Sequence, residues 1–349
     1  MLFACTFFKN FYKDVLFMPL ISFIIPAYNS EKTLKRAVES VTNSIIDQTY
    51  EVLIIDDGSK DNTLILANQL ALQNQRIRVL TAGKGVGHAR NTGIKHARGQ
   101  MIAFLDADDH YLRSALPKAL SQAKKNPADL QIFSFEHGKH TVDLTLPSSN
   151  SLDVRCRTLE KPTNYMTVWG KFFKRSLLID NDIYFNEELT MSEDSEFLIR
   201  YTAACESITT SALVLYHYTI DTPSATRSFD TKKIQAYLNA LNIAEEFIDS
   251  QPQVIKQSFL SYTLIQVNII AVRLIYTLGN PASNKQKRAE LDKVITAPVV
   301  KKALEQVTLK QCLTPHLLPG LFLKLHLSSL AILLFKLRSK QNEQKENNS

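Results

Sequence analysis

From residue 20 to residue 135, short apolar, β-branched runs alternate with segments of helical period, and the runs end on polar turns. The runs are 21–25, 51–55, 77–80, 101–105 and 130–135. The spacing predicts helices over 31–44, 62–72, 87–97 and 112–125 between them. Short apolar runs without alternation suit strands buried on both faces. Strands separated by helices form a parallel sheet, because each crossover helix returns the chain to the same end. Such a sheet binds ligands beyond the carboxyl ends of its strands. Tyr28 and Asn29, Asp56 and Asp57, a glycine cluster, and Asp106 and Asp108 all fall at those ends.

Composition narrows the class. The chain has 349 residues, 45% apolar and 21% charged, which argues against wholesale disorder and against a polytopic membrane protein. The net charge of +7 is uneven: residues 1–230 carry 25 Lys/Arg against 26 Asp/Glu, and residues 231–349 carry 16 against 8. Four well-separated cysteines without a C-x-x-C indicate neither a zinc site nor a disulfide framework, and fit a reducing compartment. Only ten glycines occur, and five of them (Gly83, Gly85, Gly87, Gly93, Gly99) are clustered, which points to unusual backbone there.

Each polar segment has two readings on its own. Asp106 and Asp108 either hold a divalent cation that keeps positions open for phosphate oxygens, or Asp108 or Asp109 caps a following helix. Asp56 and Asp57 either meet a nucleobase or ribose, or form an Asx turn. The stretch 83–91 opens a helix whose free N–H groups could face an anion, with Arg90 as a fork of donors or as a solvated helix residue. It matches neither the dinucleotide fingerprint nor the P-loop, which disfavours a dehydrogenase and a P-loop NTPase. Glu193, Asp194 and Glu196 either suit a helix start, with Ser192 as cap, or include a general base. His217, in Leu215-Tyr216-His217-Tyr218, is either a packed histidine or a metal or phosphate contact.

The order of these segments is specific. The pieces 21–29, 54–61, 87–93 and 104–109 resemble the nucleotide-binding half of the inverting family 2 glycosyltransferases of bacterial surface-polysaccharide type, which have the GT-A fold. The likeness continues more loosely through 169–175 and 192–197 to about Tyr218. It implies an α/β, Rossmann-like, mostly parallel sheet with flanking helices, and a UDP-sugar donor with Mn²⁺ or Mg²⁺. Pro26, Ala27, Tyr28 and Asn29 would line the nucleoside pocket, Asp57 would bond the base, and Arg90 would lie beside base or diphosphate. Asp106 would face ribose and metal, Asp108 would ligate the metal, and His217 would touch metal or diphosphate. Asp194 would be the catalytic base, supported by Glu193. Relatives often continue the His-Tyr pair with Arg, whereas Thr219 follows here and Arg227 comes later.

The resemblance implies single-displacement transfer of a sugar to a glycan or lipid-linked glycan, in capsule, O-antigen or lipopolysaccharide assembly. A non-catalytic nucleotide-sugar-binding or membrane-scaffold subunit is the alternative; a nucleotidyltransferase would instead release pyrophosphate. The expected organisation is an extension over 1–18 (with Met18 as the true start), a catalytic domain over 19–230, an all-helical region over 231–338 and a disordered tail over 339–349. The apolar stretch 317–337 is interrupted by Pro319, Gly320 and Lys324, so an interfacial helix on an anionic membrane surface is expected rather than a span, with a core helix or an oligomer face as the alternative. The expected place is the cytoplasm, peripheral at the inner face of the membrane. No nucleic-acid module is recognisable.

Overall fold

The computed structural model describes residues 18–45, 50–147, 150–219 and 230–347. The expected extension, apart from Met18, and Arg227 lie outside the described residues. By packing, the described chain forms two compact units: residues 18–147, 168–185 and 204–219 make the first, and 150–167, 186–203 and 230–347 the second. The boundary expected from the sequence falls at 230. Two inner segments instead pack with the C-terminal helices, a long-range choice that no local signal announces.

The first unit is built on one mixed sheet of β1 (Ile21–Ala27), β2 (Tyr50–Asp56), β3 (Ile77–Thr81), β4 (Met101–Phe104), β5 (His110–Tyr111), β6 (Leu130–His137), β7 (His140–Val142), β8 (Lys171–Lys174) and β9 (Ile208–Tyr218). The order is β3-β2-β1-β4-β8-β6-β9-β5, with β7 on β6. β3, β2, β1 and β4 are parallel, as the strand–helix alternation requires. Short β8 and β5 join antiparallel and extend the sheet. Helices α1 (Leu34–Thr42), α2 (Thr63–Gln73), α3 (Val86–His96) and α4 (Leu116–Lys125) match the predicted crossovers. Ile21, Phe23, Ile24, Val52, Ile54 and Phe104 are fully buried, as expected of strands covered on both faces.

Polar residues ahead of two helices do not cap them. The Ser30 hydroxyl donates to the Tyr28 carbonyl, and α1 begins at Leu34. Asp108 and Asp109 lead into β5, and α4 begins only at Leu116. The glycine cluster also divides in purpose. A Cβ on Gly93 would lie 2.4 Å from the Ile24 side chain, and one on Gly99 would lie 2.6 Å from the Ser22 backbone. Those two glycines let α3 and the following turn approach β1; only Gly83, Gly85 and Gly87 belong to the loop at the strand ends.

Asp129 ties three strand ends together. Its carboxylate accepts from the N–H groups of Glu206 and Ser207 at 2.9 and 3.0 Å and from Lys174 Nζ at 2.9 Å. Burial alone would push this carboxyl up; the Lys174 ammonium and the two N–H groups outweigh it and hold it below the ordinary aspartate range. Asp129→Ala is expected to destabilise the protein by about 3 kcal/mol at neutral pH, read by urea unfolding. The stabilisation is present above the unfolded pKa of about 3.9 and is lost as pH falls through the lower folded value. The gap between wild type and Asp129→Asn should therefore close in acid; a gap unchanged down to strongly acidic pH would contradict the ion-pair account.

The second unit is helical: α5 (Ser151–Glu160), α6 (Pro162–Tyr165), α8 (Glu193–Ala204), α9 (Thr231–Ile248), α10 (Gln253–Ile270), α11 (Asn284–Thr296), α12 (Pro298–Gln306), α13 (Leu309–Cys312), α14 (Leu318–Lys324) and α15 (Ser328–Asn347), while α7 (Arg175–Asp180) lies in the first. α10 runs on through a π-helical turn, Ala271–Ile275, and forms the core. It is the one helix among the described residues long and apolar enough to cross a membrane, and 89% of its apolar window is buried inside the protein. Leu260, Leu264 and Ile265 of α10 pack with Ala303, Val307, Cys312 and Leu317. Arg155 bonds Gln251 at 2.6 Å, which secures α5 to the turn before α10. The tail expected to be disordered continues α15 to Asn347. Lys, Gln and Glu are good helix formers, and Glu343 accepts the Leu278 N–H at 2.9 Å.

Candidate functional site: the strand ends of the first unit

The carboxyl ends of β2, β1 and β4 lie side by side, because Ala27 pairs with Asp56 and Ile24 with Phe104. Pro26 and Ala27 close β1, and the Tyr28 ring that follows is 48% exposed. Asn29 adopts φ +48°, a conformation that suits Asn better than most residues. Its amide oxygen accepts the Lys60 N–H at 2.8 Å, and its own N–H donates to Ser59 Oγ at 3.0 Å. Asn29 thus joins the turns after β1 and β2, a positioning role.

The two aspartates after β2 divide the work. Asp56 Oδ2 accepts the N–H groups of Gly58 and Ser59, making the Asx turn. Asp57 Oδ1 accepts the Gly85 N–H at 2.6 Å, where Gly85 has φ +122°, so the glycine loop is pinned to the β2 end. Burial and the Asp56 charge raise the Asp57 carboxyl above its ordinary value, against the opposing Gly85 hydrogen bond, His88 and Lys84. Arg90 points inward from α3 and is 4% exposed. Its guanidinium lies 3.4 Å from Asp106 Oδ1 and 5.2 Å from the centre of the Phe185 ring. Asn91 exchanges two hydrogen bonds with the Phe185 backbone, at 2.8 and 2.9 Å, and so fixes that ring.

Asp106 and Asp108 are half-buried on the turn after β4, while Asp109 is 1% exposed. The Tyr216 hydroxyl accepts the Asp106 N–H at 3.2 Å and donates to Asp109 Oδ2 at 2.8 Å. Asp109 Oδ1 also accepts the Thr219 N–H at 2.7 Å. Burial, with the Asp106 and Asp108 charges, pushes the Asp109 carboxyl up to about 8. Asp109 and Tyr216 therefore lock the acidic turn to the end of β9. Sequence reasoning does not assign them this job, since only the β5–β9 pairing brings them together. It misses Arg36 altogether: from α1, the guanidinium donates to the Asp108 carbonyl and to Thr219 Oγ1. A cation thus stands beside Thr219 despite the absence of Arg at that position.

His217 pairs with His110 across β5 and β9, the two rings stacking at 4.6 Å, and its Nδ1 lies 3.1 Å from Glu136. Burial and the neighbouring His217 and Arg36 hold the His110 imidazole below its ordinary value, which favours the neutral ring. Among the described residues no three His, Cys, Asp or Glu side chains converge as a ready-made metal cluster. Asp106 and Asp108 nevertheless fit a hard cation: two carboxylates on one turn, with coordination left open for phosphate oxygens.

Glu193 and Asp194 belong to the second unit, at the first turn of α8, both half-buried. Ser192, at φ +59°, leads into them. The third acid, Glu196, is buried against Arg200, with contacts of 2.5 and 2.7 Å, so it serves structure.

Residues 22–184 match the model of glycosyl transferase family 2. Over that stretch, a little under half of its length, the chain is similar to family 2 glycosyl transferases. EpsJ of Bacillus subtilis (strain 168), an uncharacterized glycosyltransferase, is 30% identical over 193 residues, 52% of this chain and 55% of that protein. The Escherichia coli UDP-Glc:alpha-D-GlcNAc-diphosphoundecaprenol beta-1,3-glucosyltransferase WfgD is 38% identical over 128 residues, 35% of this chain and 46% of that protein. The chain spans about half the length of these curated relatives. The crystal structure of Staphylococcus aureus TarS 1-349 superposes with a TM-score of 0.67 at 21% identity, covering 92% of this chain and 91% of that one. The same fragment in complex with UDP-GlcNAc gives 0.63 at 18%. The fold is therefore shared well beyond the matched stretch. The family 2 match takes in the residues singled out between Pro26 and Asp108 and stops short of Glu193, Asp194 and His217.

Proposed function

We propose that this chain is an inverting glycosyltransferase that moves a sugar from a UDP-sugar to a glycan or lipid-linked glycan in bacterial surface-polysaccharide assembly. The observation that carries the reading is the donor-side arrangement at three adjacent strand ends. Asp57 holds the glycine loop, Arg90 reaches Asp106 from a buried position, and the acidic turn is locked from behind by Tyr216 and Asp109. The TarS fragment solved with UDP-GlcNAc and the UDP-glucose named for WfgD support the donor class, and WfgD's diphosphoundecaprenol substrate supports a lipid-linked acceptor.

In this reading the exposed Tyr28 ring and Asp57 receive the uracil, and half-buried Pro26 and exposed Asn29 shape that end of the pocket. Arg90 and Arg36 supply positive charge where the departing diphosphate gains negative charge. Asp106 and Asp108 would hold Mn²⁺ or Mg²⁺, whereas His217, the further ligand that the resemblance implied, is engaged with Glu136 and His110 and does not complete a three-residue cluster with them. Such a cation, when bound, neutralises charge on the leaving diphosphate. Asp194 takes the proton from the acceptor hydroxyl, and Glu193 supports it. One displacement with a base on the acceptor side inverts the anomeric centre.

The test is a panel of UDP-sugars with lipid-linked acceptors, scored for UDP release and for anomeric configuration of the product. Release of UDP with an inverted product is expected. Pyrophosphate release would point to nucleotidyl transfer. UDP binding with no product across the panel would favour the non-catalytic subunit.

A further inference from the structure

The apolar segment 317–337 is broken into α14 and α15 at residues 325–327, where His326 has φ +58°. Its apolar residues then split between two faces. Leu317, Leu323, Ala331 and Phe335 turn inward, and Phe335 stacks on Tyr276 at 6.2 Å. Leu330, Leu333 and Leu337 turn outward at 43, 53 and 49% exposure. Their i, i+3, i+7 spacing puts them in one row on α15. Leu325 and Leu327, just before that helix, are also exposed. Arg338 donates to the Pro315 carbonyl, which seats the loop carrying exposed Leu313 against the same helix.

The charge around this row has one sign. Residues 306–342 contain no Asp or Glu, and they carry Lys310, Lys324, Lys336, Arg338 and Lys340. Lys324 caps the end of α12 through the carbonyls of Leu304 and Glu305, and Lys336 bonds Asn284, whereas Lys310 and Lys340 are exposed. A row of leucines in a stretch, 306–342, whose only charged side chains are cations suits an anionic surface with an apolar interior. A second copy of the same face would set like charges against each other.

We infer that the outward leucine row of α15, with Leu325, Leu327 and Leu313 beside it, is a docking face for an anionic lipid bilayer. The leucines enter the acyl boundary, and Lys310 and Lys340 meet the lipid headgroups. This deepens the reading above by giving the acceptor's membrane a place on the chain, and it rests on that reading only for the choice of a membrane-borne acceptor.

The experiment is flotation of the full chain with vesicles of phosphatidylcholine alone or with phosphatidylglycerol, alongside UDP binding and light-scattering mass. Wild type should bind the anionic vesicles and release in high salt. Leu330→Ser/Leu333→Ser/Leu337→Ser should weaken binding by about a hundredfold or more. Lys310→Gln/Lys340→Gln should weaken it by about thirtyfold. Both variants should keep wild-type UDP affinity, which checks that they fold. Equal binding to both vesicle types, or full binding by the serine variant, overturns the docking face. So does a wild-type oligomer that the serine variant disperses, because the leucines would then seat a second copy. UDP affinity and transfer are read separately, so loss of the docking face leaves the transferase reading standing, and the reverse.

Discussion

Asp194→Asn is expected to lower the turnover of sugar transfer by about a hundred- to ten-thousandfold while UDP affinity stays within a factor of about two. The amide keeps the size and polarity of the carboxylate but cannot take the acceptor's proton. Asp194 sits half-buried at the first turn of α8. The neighbouring acids divide the possibilities. Glu196 is committed to Arg200, so Glu196→Gln should show as lost stability rather than as a clean loss of turnover. Turnover is measured with saturating donor and acceptor, and UDP affinity by calorimetry. Transfer by Asp194→Asn within about tenfold of wild type would remove it as the base and turn attention to Glu193.

The second large effect concerns the acidic turn. Asp108→Ala, or removal of divalent cations with a chelator, should reduce transfer by about a thousandfold, the scale on which loss of several kcal/mol of charge stabilisation is felt. A readout independent of turnover is available: wild-type UDP affinity should rise on addition of Mn²⁺, and that increment should vanish in Asp108→Ala. The fold is expected to survive, because Asp108 is half-buried and the turn is held by Asp109, Tyr216 and Arg36 instead. UDP binding and transfer insensitive to the chelator would eliminate the metal role. The diphosphate charge would then fall to Arg90 and Arg36.

The strand–helix alternation and the turns at strand ends make the parallel core, and the polar residues at its strand ends, legible in the sequence. They are local: a strand end and the turn after it are adjacent in the chain, so the motif and its placement coincide. Asn29, Asp57, Arg90 and Asp106 are readable on that ground. The job of Asn29 is not, because its partners, Ser59 and Lys60, come from another strand's turn. The glycine cluster shows the same limit. Scarcity followed by clustering marks the region, but whether a glycine serves a loop or a close approach depends on what faces it. For Gly93 that is Ile24, far away in sequence.

By itself, then, the sequence determined the class of sheet, the end of the sheet where the polar turns gather, and the charge asymmetry between the two parts of the chain. These follow from hydrophobic period, chain direction and composition, which are properties of neighbouring residues. Tertiary structure alone decided the rest. It showed Asp109 and Tyr216 as the lock behind the acidic turn, and Arg36 beside Thr219. It showed that 150–167 and 186–203 join the C-terminal helices, and that half of an apolar segment looks inward while the other half faces out. Each of these depends on pairings between distant segments, and burial is set by what the chain brings back to cover a side chain. That is why Leu323 and Leu333, alike in sequence, have opposite fates.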